Sequence, residues 1–257
     1  MPTVKLLILG GTGEAAALAR AVLAAFGDRL QVTSSLAGRT KHPAALAGHV
    51  REGGFGGAAG LAQYLADNGV HMVIDATHPF AAAISANGRA ACDGLSIPRL
   101  RLTRPPWRRR KDDHWIEVID AAAAARALAD LGGRALVTIG VKELGPFAGL
   151  QGPRCVVRLI EAPARPLPFE LITGRGPFTV AAETRLLVDR RIEVLVTKAS
   201  GGAATRAKIT AARVLGLPVI MIRRPPEEPG EHARNIPAAV AWIEENLPPR
   251  HQGHQGG

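Results

Sequence analysis

Five short stretches of this chain carry residue types that could handle a phosphorylated or carboxylated ligand. The first, Gly11-Thr12-Gly13-Glu14-Ala15-Ala16, has G-x-G-x-x-A spacing. There glycines permit a tight turn and let a pyrophosphate approach main-chain N–H groups at the positive end of a helix. Alone, the motif also fits a ligand-free glycine turn joining strand to helix. In the second, an NAD site would place an acid for the ribose 2′-hydroxyl, but the chain offers Ser34, Ser35 and Arg39. Hydroxyl donors with a cation suit a 2′-phosphate and point to NADP(H), although Arg39 and Lys41 also fit a solvated loop. The third, Asp75-Ala76-Thr77-His78-Pro79-Phe80, puts Thr77 and His78 just after an apolar run; His78 could be a general acid, a phosphate donor or a capping residue. The fourth, Arg104-Pro105-Pro106-Trp107-Arg108-Arg109-Arg110-Lys111, sets cations around a Trp, which suits nucleic acid, a flat anionic ligand or a solvated hinge. The fifth is Lys198-Ala199-Ser200-Gly201-Gly202, again a glycine turn after an apolar run.

The elements that must position these stretches alternate. An apolar run at 6–9, an alternating segment at 30–35, a buried-type segment at 70–76 and a segment at 98–103 read as strands, and alanine- and leucine-rich segments at 14–26, 58–67 and 80–92 as helices, with a further short strand at 49–55. After the basic segment the pattern resumes: strands at 115–119, 135–140, 154–161, 192–198 and 218–222, helices at 121–131, 179–191 and up to 215, and a closing helix at 236–247. Strands that alternate with helices mean parallel sheets with covered faces. The expected architecture is α/β, with two Rossmann-like three-layer domains, mainly parallel sheets and a ligand cleft between them. The expected boundaries are an N-terminal dinucleotide-binding domain at 1–104, a basic linker at 105–114, a C-terminal domain at 115–248 and a disordered tail at 249–257.

Composition narrows the classes. The 257 residues exceed what one core usually supports, and a hydrophobic fraction of 47% is globular. No apolar run is long enough for a membrane span and no signal-peptide pattern opens the chain, so a cytoplasmic protein is expected. Cys92 and Cys155 are isolated, which predicts neither a disulfide framework nor a metal site. A net charge of +10 and a pI near 10.7 predict an anionic partner. Residues through Asp112 hold 14 Lys and Arg against 7 Asp and Glu, so most of the excess lies in the first half. Only 4% of residues are aromatic, which is poor for stacking nucleic acid.

Five stretches taken together, Gly10-Gly11-Thr12-Gly13-Glu14, Asp75 through Ala81, Thr138-Ile139-Gly140, Lys198 through Gly202 and Arg223-Arg224-Pro225, resemble the precorrin-6A reductases. The resemblance runs from residue 3 to about 226. It implies NADPH-dependent reduction of one double bond of precorrin-6A to precorrin-6B in aerobic cobalamin synthesis, with other enzymes of that pathway as candidate partners. The anaerobic counterpart acts on the cobalt-containing analogue, which the sequence leaves open. Under this reading Gly11, Thr12, Gly13 and Glu14, with Thr77, His78, Gly140, Lys198, Ser200 and Gly201, are candidate cofactor contacts. Lys198 and Ser200 could equally hold a substrate carboxylate, or form an ordinary β-α turn. Arg104, Trp107, Arg108 and Arg109 are candidate contacts to the carboxylate-fringed macrocycle, since Arg grips carboxylates bidentately. Glu14, His78 and Lys198 are unranked candidates for the proton donor. Two competing readings are an S-adenosylmethionine-dependent tetrapyrrole methyltransferase and a non-enzymatic dinucleotide- or nucleic-acid-binding protein. Ser34-Ser35 is the wrong chemistry for the first, and no nucleic-acid-binding motif supports the second.

Overall fold

The computed structural model describes residues 3–36 and 47–248. The chain divides into two compact units, Met1–Arg104 with Pro226–Gly257, and Pro105–Pro225. The first opens with β1 (Val4–Leu9), α1 (Gly13–Phe26), β2 (Leu30–Leu36), β3 (His49–Glu52), α2 (Gly57–Asp67), β4 (Met72–Asp75), α3 (Ala82–Leu95) and β5 (Arg99–Leu102). From Leu6 to Leu9 β1 is apolar because both its faces are covered: Leu6 and Ile8 pack in the core that contains α1, and Leu7 and Leu9 in the core beneath α2 and α3.

The second unit contains β6 (Trp115–Val118), α4 (Ala121–Leu131), β7 (Arg134–Thr138), β8 (Arg154–Leu159), β9 (Glu170–Thr173), α5 (Val180–Asp189), β10 (Val194–Lys198), α6 (Ala207–Val214) and β11 (Val219–Ile222). Its sheet order is β6-β11-β10-β7-β8-β9, every pair parallel. Short side chains start two of its helices. Asp120 accepts from the Ala123 amide at 2.7 Å to cap α4, and Thr179 accepts from Ala182 at 3.1 Å to cap α5.

The chain then returns to the first unit. β12 (Glu231–Ala233) pairs in parallel with β5, and α7 (Ile236–Asn246) packs against α1, with Ala239, Trp242 and Ile243 in its core. The first sheet therefore has the order β12-β5-β4-β1-β2-β3, all parallel, which is the doubly wound order of dinucleotide-binding domains with its sixth strand supplied from the far end of the chain. This differs from the expected 115–248 domain. The returning strand covers the open edge of β5, and Trp242 and Ile243 complete a core that β1 and α1 leave unfinished. The basic segment that begins at Pro105 belongs to the second unit. The expected disordered tail at 249–257 lies outside the described residues. No described helix is long and apolar enough to cross a membrane.

Cys92 lies in α3, buried against the sheet. Burial pushes its thiol up from the ordinary 9.0 to about 11, opposed in part by Arg99. The native state thus keeps this proton at a pH where the unfolded chain has lost it, so stability falls as pH rises through that interval. Urea unfolding across it is expected to show a steeper loss for the native sequence than for Cys92→Ala; equal slopes would contradict the assignment.

Candidate functional site

In a doubly wound sheet the ligand crevice opens at the carboxyl ends of the strands where the order reverses. In the first unit that point lies between β1 and β4, because the chain winds to β2 and β3 on one side and to β5 and β12 on the other. Gly10 to Gly13 leave β1 there. Gly11 has φ +97°, and a Cβ built on either Gly11 or Gly13 would meet nothing within 4 Å, so the turn is open above. Thr12 holds it from below. Its hydroxyl donates to the Ala76 carbonyl at 2.7 Å and accepts from the Ala15 amide at 3.1 Å, capping α1 and tying the turn to the end of β4. The amides of the first turn of α1 carry the positive end of the helix dipole.

Glu14 would place a negative charge beside any phosphate in that first turn. Arg104 offsets it, with Nη1 3.0 Å from both carboxylate oxygens. The two residues expected to serve cofactor and substrate separately are therefore one ion pair. Together with Thr12, Ala76, Thr77, Pro79 and Leu102 they line one crevice.

Thr77 and His78 follow β4 into the same region. Thr77 donates its hydroxyl to Asp75 Oδ1 at 2.6 Å and its amide to the same oxygen at 3.1 Å, an Asx-type turn that fixes the backbone as it leaves the strand. His78 Nδ1 accepts from the Phe80 amide at 3.3 Å, which puts the ring proton on Nε2. α3 starts later than expected, at Ala82, because this turn uses residues through Phe80.

Ser34 and Ser35 lie near the carboxyl end of β2 beside the glycine turn, where the Ser35 carbonyl accepts from the Gly10 amide at 2.9 Å. β2 runs through Leu36, so neither serine lies at a free strand end; they are 2% and 6% exposed, and Ser34 Oγ has no hydrogen-bond partner among the described residues. Arg39 lies outside the described residues. Arg51, at the neighbouring strand end of β3, donates to the carbonyls of Gly53 and Gly54 at 2.6 and 2.9 Å and stacks 3.9 Å from the centre of the Phe55 ring. The sequence pattern did not single it out, because a lone Arg between a strand and a glycine turn has no signature.

The second unit has its own reversal, between β7 and β10. It gathers Thr138 at the end of β7 and Gly140 just after it with Lys198 at the end of β10 and Ser200 just after it. Lys198 pairs with Glu143, whose amide donates to the Gly140 carbonyl at 2.9 Å. Lys208, which spacing alone left as one more helical cation, is 8% exposed and donates to Thr138 Oγ1 at 3.1 Å. The Thr138 hydroxyl in turn lies 2.9 Å from Thr197 Oγ1.

The glycine turn here is not open like its counterpart. A Cβ on Gly201 would lie 2.2 Å from Arg224 Nη2 and 2.3 Å from the Pro105 carbonyl oxygen. Arg224 braces the turn through the carbonyls of Ala199 and Ser200, at 2.7 and 2.8 Å. Trp107 donates Nε1–H to the Gly202 carbonyl at 2.7 Å and packs beside the hydrophobic core. Trp107 therefore also ties the basic segment to the glycine turn. Nearby, Asp113 is buried and paired with Arg213 at 2.8 Å, and Arg109 points at the Asp113 carbonyl at 3.4 Å. Arg108 is exposed.

Comparison with known proteins adds three findings. Residues 5–244 match the family model described as precorrin-6x reductase CbiJ/CobK. The chain is 48% identical over 242 residues to a precorrin-6A reductase of Rhodococcus erythropolis, covering 93% of this chain and 97% of that one, and 42% identical to one of Rhodobacter capsulatus, covering 93% and 95%. A solved structure described as CobK precorrin-6A reductase matches with a TM-score of 0.89 at 41% identity, covering 95% of this chain and 97% of that chain.

Proposed function

The chain belongs to the precorrin-6x reductase family CbiJ/CobK, and from that premise we propose that it reduces one double bond of precorrin-6A to precorrin-6B, with NADPH as the hydride source. The observation that carries the cofactor half of this reading is the open glycine turn at the β1/β4 reversal, with the one acid in its helix turn neutralised by Arg104. That donor set fits a pyrophosphate: backbone amides and no uncompensated carboxylate. The names of the relatives favour the metal-free macrocycle over its cobalt form.

Bound NADPH supplies hydride. What the protein supplies is orientation, exclusion of water and stabilisation of charge as it develops. Thr12 and the amides of Gly13 and Glu14 hold the pyrophosphate. Arg108 and Arg109 offer cations to the carboxylate fringe, and Lys198 and Ser200 lie at the second reversal as further contacts for an anionic group. Of the three residues considered for proton donation, Glu14 has both oxygens engaged by Arg104 and Lys198 is paired with Glu143. His78 has its Nδ1 engaged by Phe80, so its Nε2–H would serve as a hydrogen-bond donor to negative charge developing on the ligand, with the proton drawn from solvent.

Arg39 is the cation of the Ser34-Ser35-Arg39 set that suits the 2′-phosphate. Replacing Arg39 with Ala is expected to weaken NADPH binding by about 1.5–3 kcal/mol, roughly ten- to a hundredfold, while NADH binding barely changes. Equal losses for both would remove this residue from cofactor selection. The broader reading is tested by titrating the protein with NADPH, NADH and S-adenosylmethionine while following nicotinamide fluorescence and thermal stability. NADPH should bind most tightly and stabilise most, and a preference for S-adenosylmethionine would overturn the reading.

A further inference from the structure

Behind the His78 turn lies a group of buried charges that the proposed chemistry does not use. Asp75 divides its two oxygens. Oδ1 receives both donors of Thr77, and Oδ2 faces Arg99 Nη1 at 3.4 Å and Arg101 Nη1 at 3.5 Å. Both arginines also reach Glu228 Oε2, at 3.2 Å from Arg99 and 4.0 Å from Arg101. The Asp75 side chain is 0% exposed, each arginine 8% and Glu228 18%. Arg101 is further held by Thr103 Oγ1 at 3.2 Å, and the Glu228 carbonyl lies 2.8 Å from His232 Nε2.

Two carboxylates and two guanidiniums, with Asp75 and Arg101 buried and Arg99 and Glu228 partly so, cancel in charge, and removing any one leaves an uncompensated charge where water screens little. Asp75 alone would not hold two arginines in place; Glu228 shares them. Glu228 rides on the segment that returns to form β12, some 150 residues after β4 by its own numbering. The Thr77 hydroxyl also lies 3.3 Å from Ser85 Oγ, so the turn is pinned on the α3 side as well.

We propose that Asp75 is a positioning residue for His78, and that its hold on the Thr77-His78 turn is set by Glu228 through Arg99 and Arg101. The returning segment thereby completes the sheet and also fixes the orientation of a side chain at the reversal point. The kinetic part rests on the proposed role of His78; the positioning itself does not.

The test uses the full-length chain labelled with 15N histidine, with Thr77→Val, Glu228→Gln and Asp75→Asn compared by the ring nitrogen shifts of His78, the kcat for NADPH-dependent reduction and the melting temperature. Glu227→Gln, one residue away and paired with Arg234 instead, is the control. The native chain should show a single Nε2–H tautomer. Thr77→Val and Asp75→Asn should move those shifts toward tautomer averaging and lower kcat tenfold or more, Glu228→Gln should do the same to a smaller extent, and Glu227→Gln should do neither. If Asp75→Asn does not fold, the other two variants decide. Native His78 shifts in both Thr77→Val and Glu228→Gln would overturn the proposal, whatever happens to the melting temperature. Shifted resonances with unchanged kcat would uphold the positioning and instead count against the catalytic reading of His78.

Discussion

Replacing Gly201 with alanine is expected to destabilise the second unit by roughly 2–5 kcal/mol, a large share of a domain's stability. Two separate causes add. Gly201 has φ +67°, a left-handed conformation in which an L side chain costs about 1–2 kcal/mol. The new methyl would also fall 2.3 Å from the Pro105 carbonyl oxygen, which is backbone and itself accepts from the Gly202 amide at 3.2 Å. Arg224 cannot swing aside freely either, because its guanidinium holds two carbonyls of the same turn. Gly216→Ala separates the causes: Gly216 has φ +66° but open space where the methyl would go, so it should lose only the backbone part. Urea unfolding of the two variants checks this. Equal destabilisation would mean that the linker yields and the turn is not braced as described.

The second large effect concerns turnover. His78→Ala is expected to lower kcat by about a hundredfold or more, the usual range for losing one preorganised donor to developing negative charge, with NADPH affinity nearly unchanged. His78→Gln distinguishes the roles open to the ring. A glutamine amide donates a hydrogen bond but cannot deliver a proton, so if His78 acts as a neutral Nε2–H donor, His78→Gln should recover much of the lost rate. Rates as low as those of His78→Ala would instead make His78 the acid, requiring the ring to give up its bond from the Phe80 amide during the cycle. Native turnover in both variants would remove His78 from the reaction.

Periodicity made the central strands legible because burial on both faces demands unbroken apolar runs, as at Leu6–Leu9 and in β7, β10 and β11. Helix α4 was readable to the residue, with Asp120 before it and Gly132 after it. The shortest elements were not. β9 and β12 span four and three residues in segments rich in Pro, Gly and charge, where no period can show, and they are strands only because a neighbouring edge offers hydrogen bonds. Missing β12 is what assigned the end of the chain to the second unit.

Within the site, the motifs were placed at strand ends, but spacing could not distinguish an open turn from a filled one. Gly11-Thr12-Gly13 and Gly201-Gly202 look alike in the sequence; the difference is Pro105, Trp107 and Arg224, which are distant along the chain from at least one side of the turn. Ser34 and Ser35 show a related limit of spacing alone. Their hydroxyls suggest a ligand contact, whereas the strand continues one residue further and encloses them. Ion pairs such as Glu14 with Arg104 and Lys198 with Glu143 link residues that no spacing rule connects.

The central claim is hydride transfer from NADPH to precorrin-6A, and the most direct measurement supplies the purified chain with both, the NADPH carrying deuterium at the transferable position. Nicotinamide absorbance should fall only when the macrocycle is present, and the product should be heavier than precorrin-6A by one deuterium and one hydrogen. NADPH left unconsumed, or a product without the label, would contradict it.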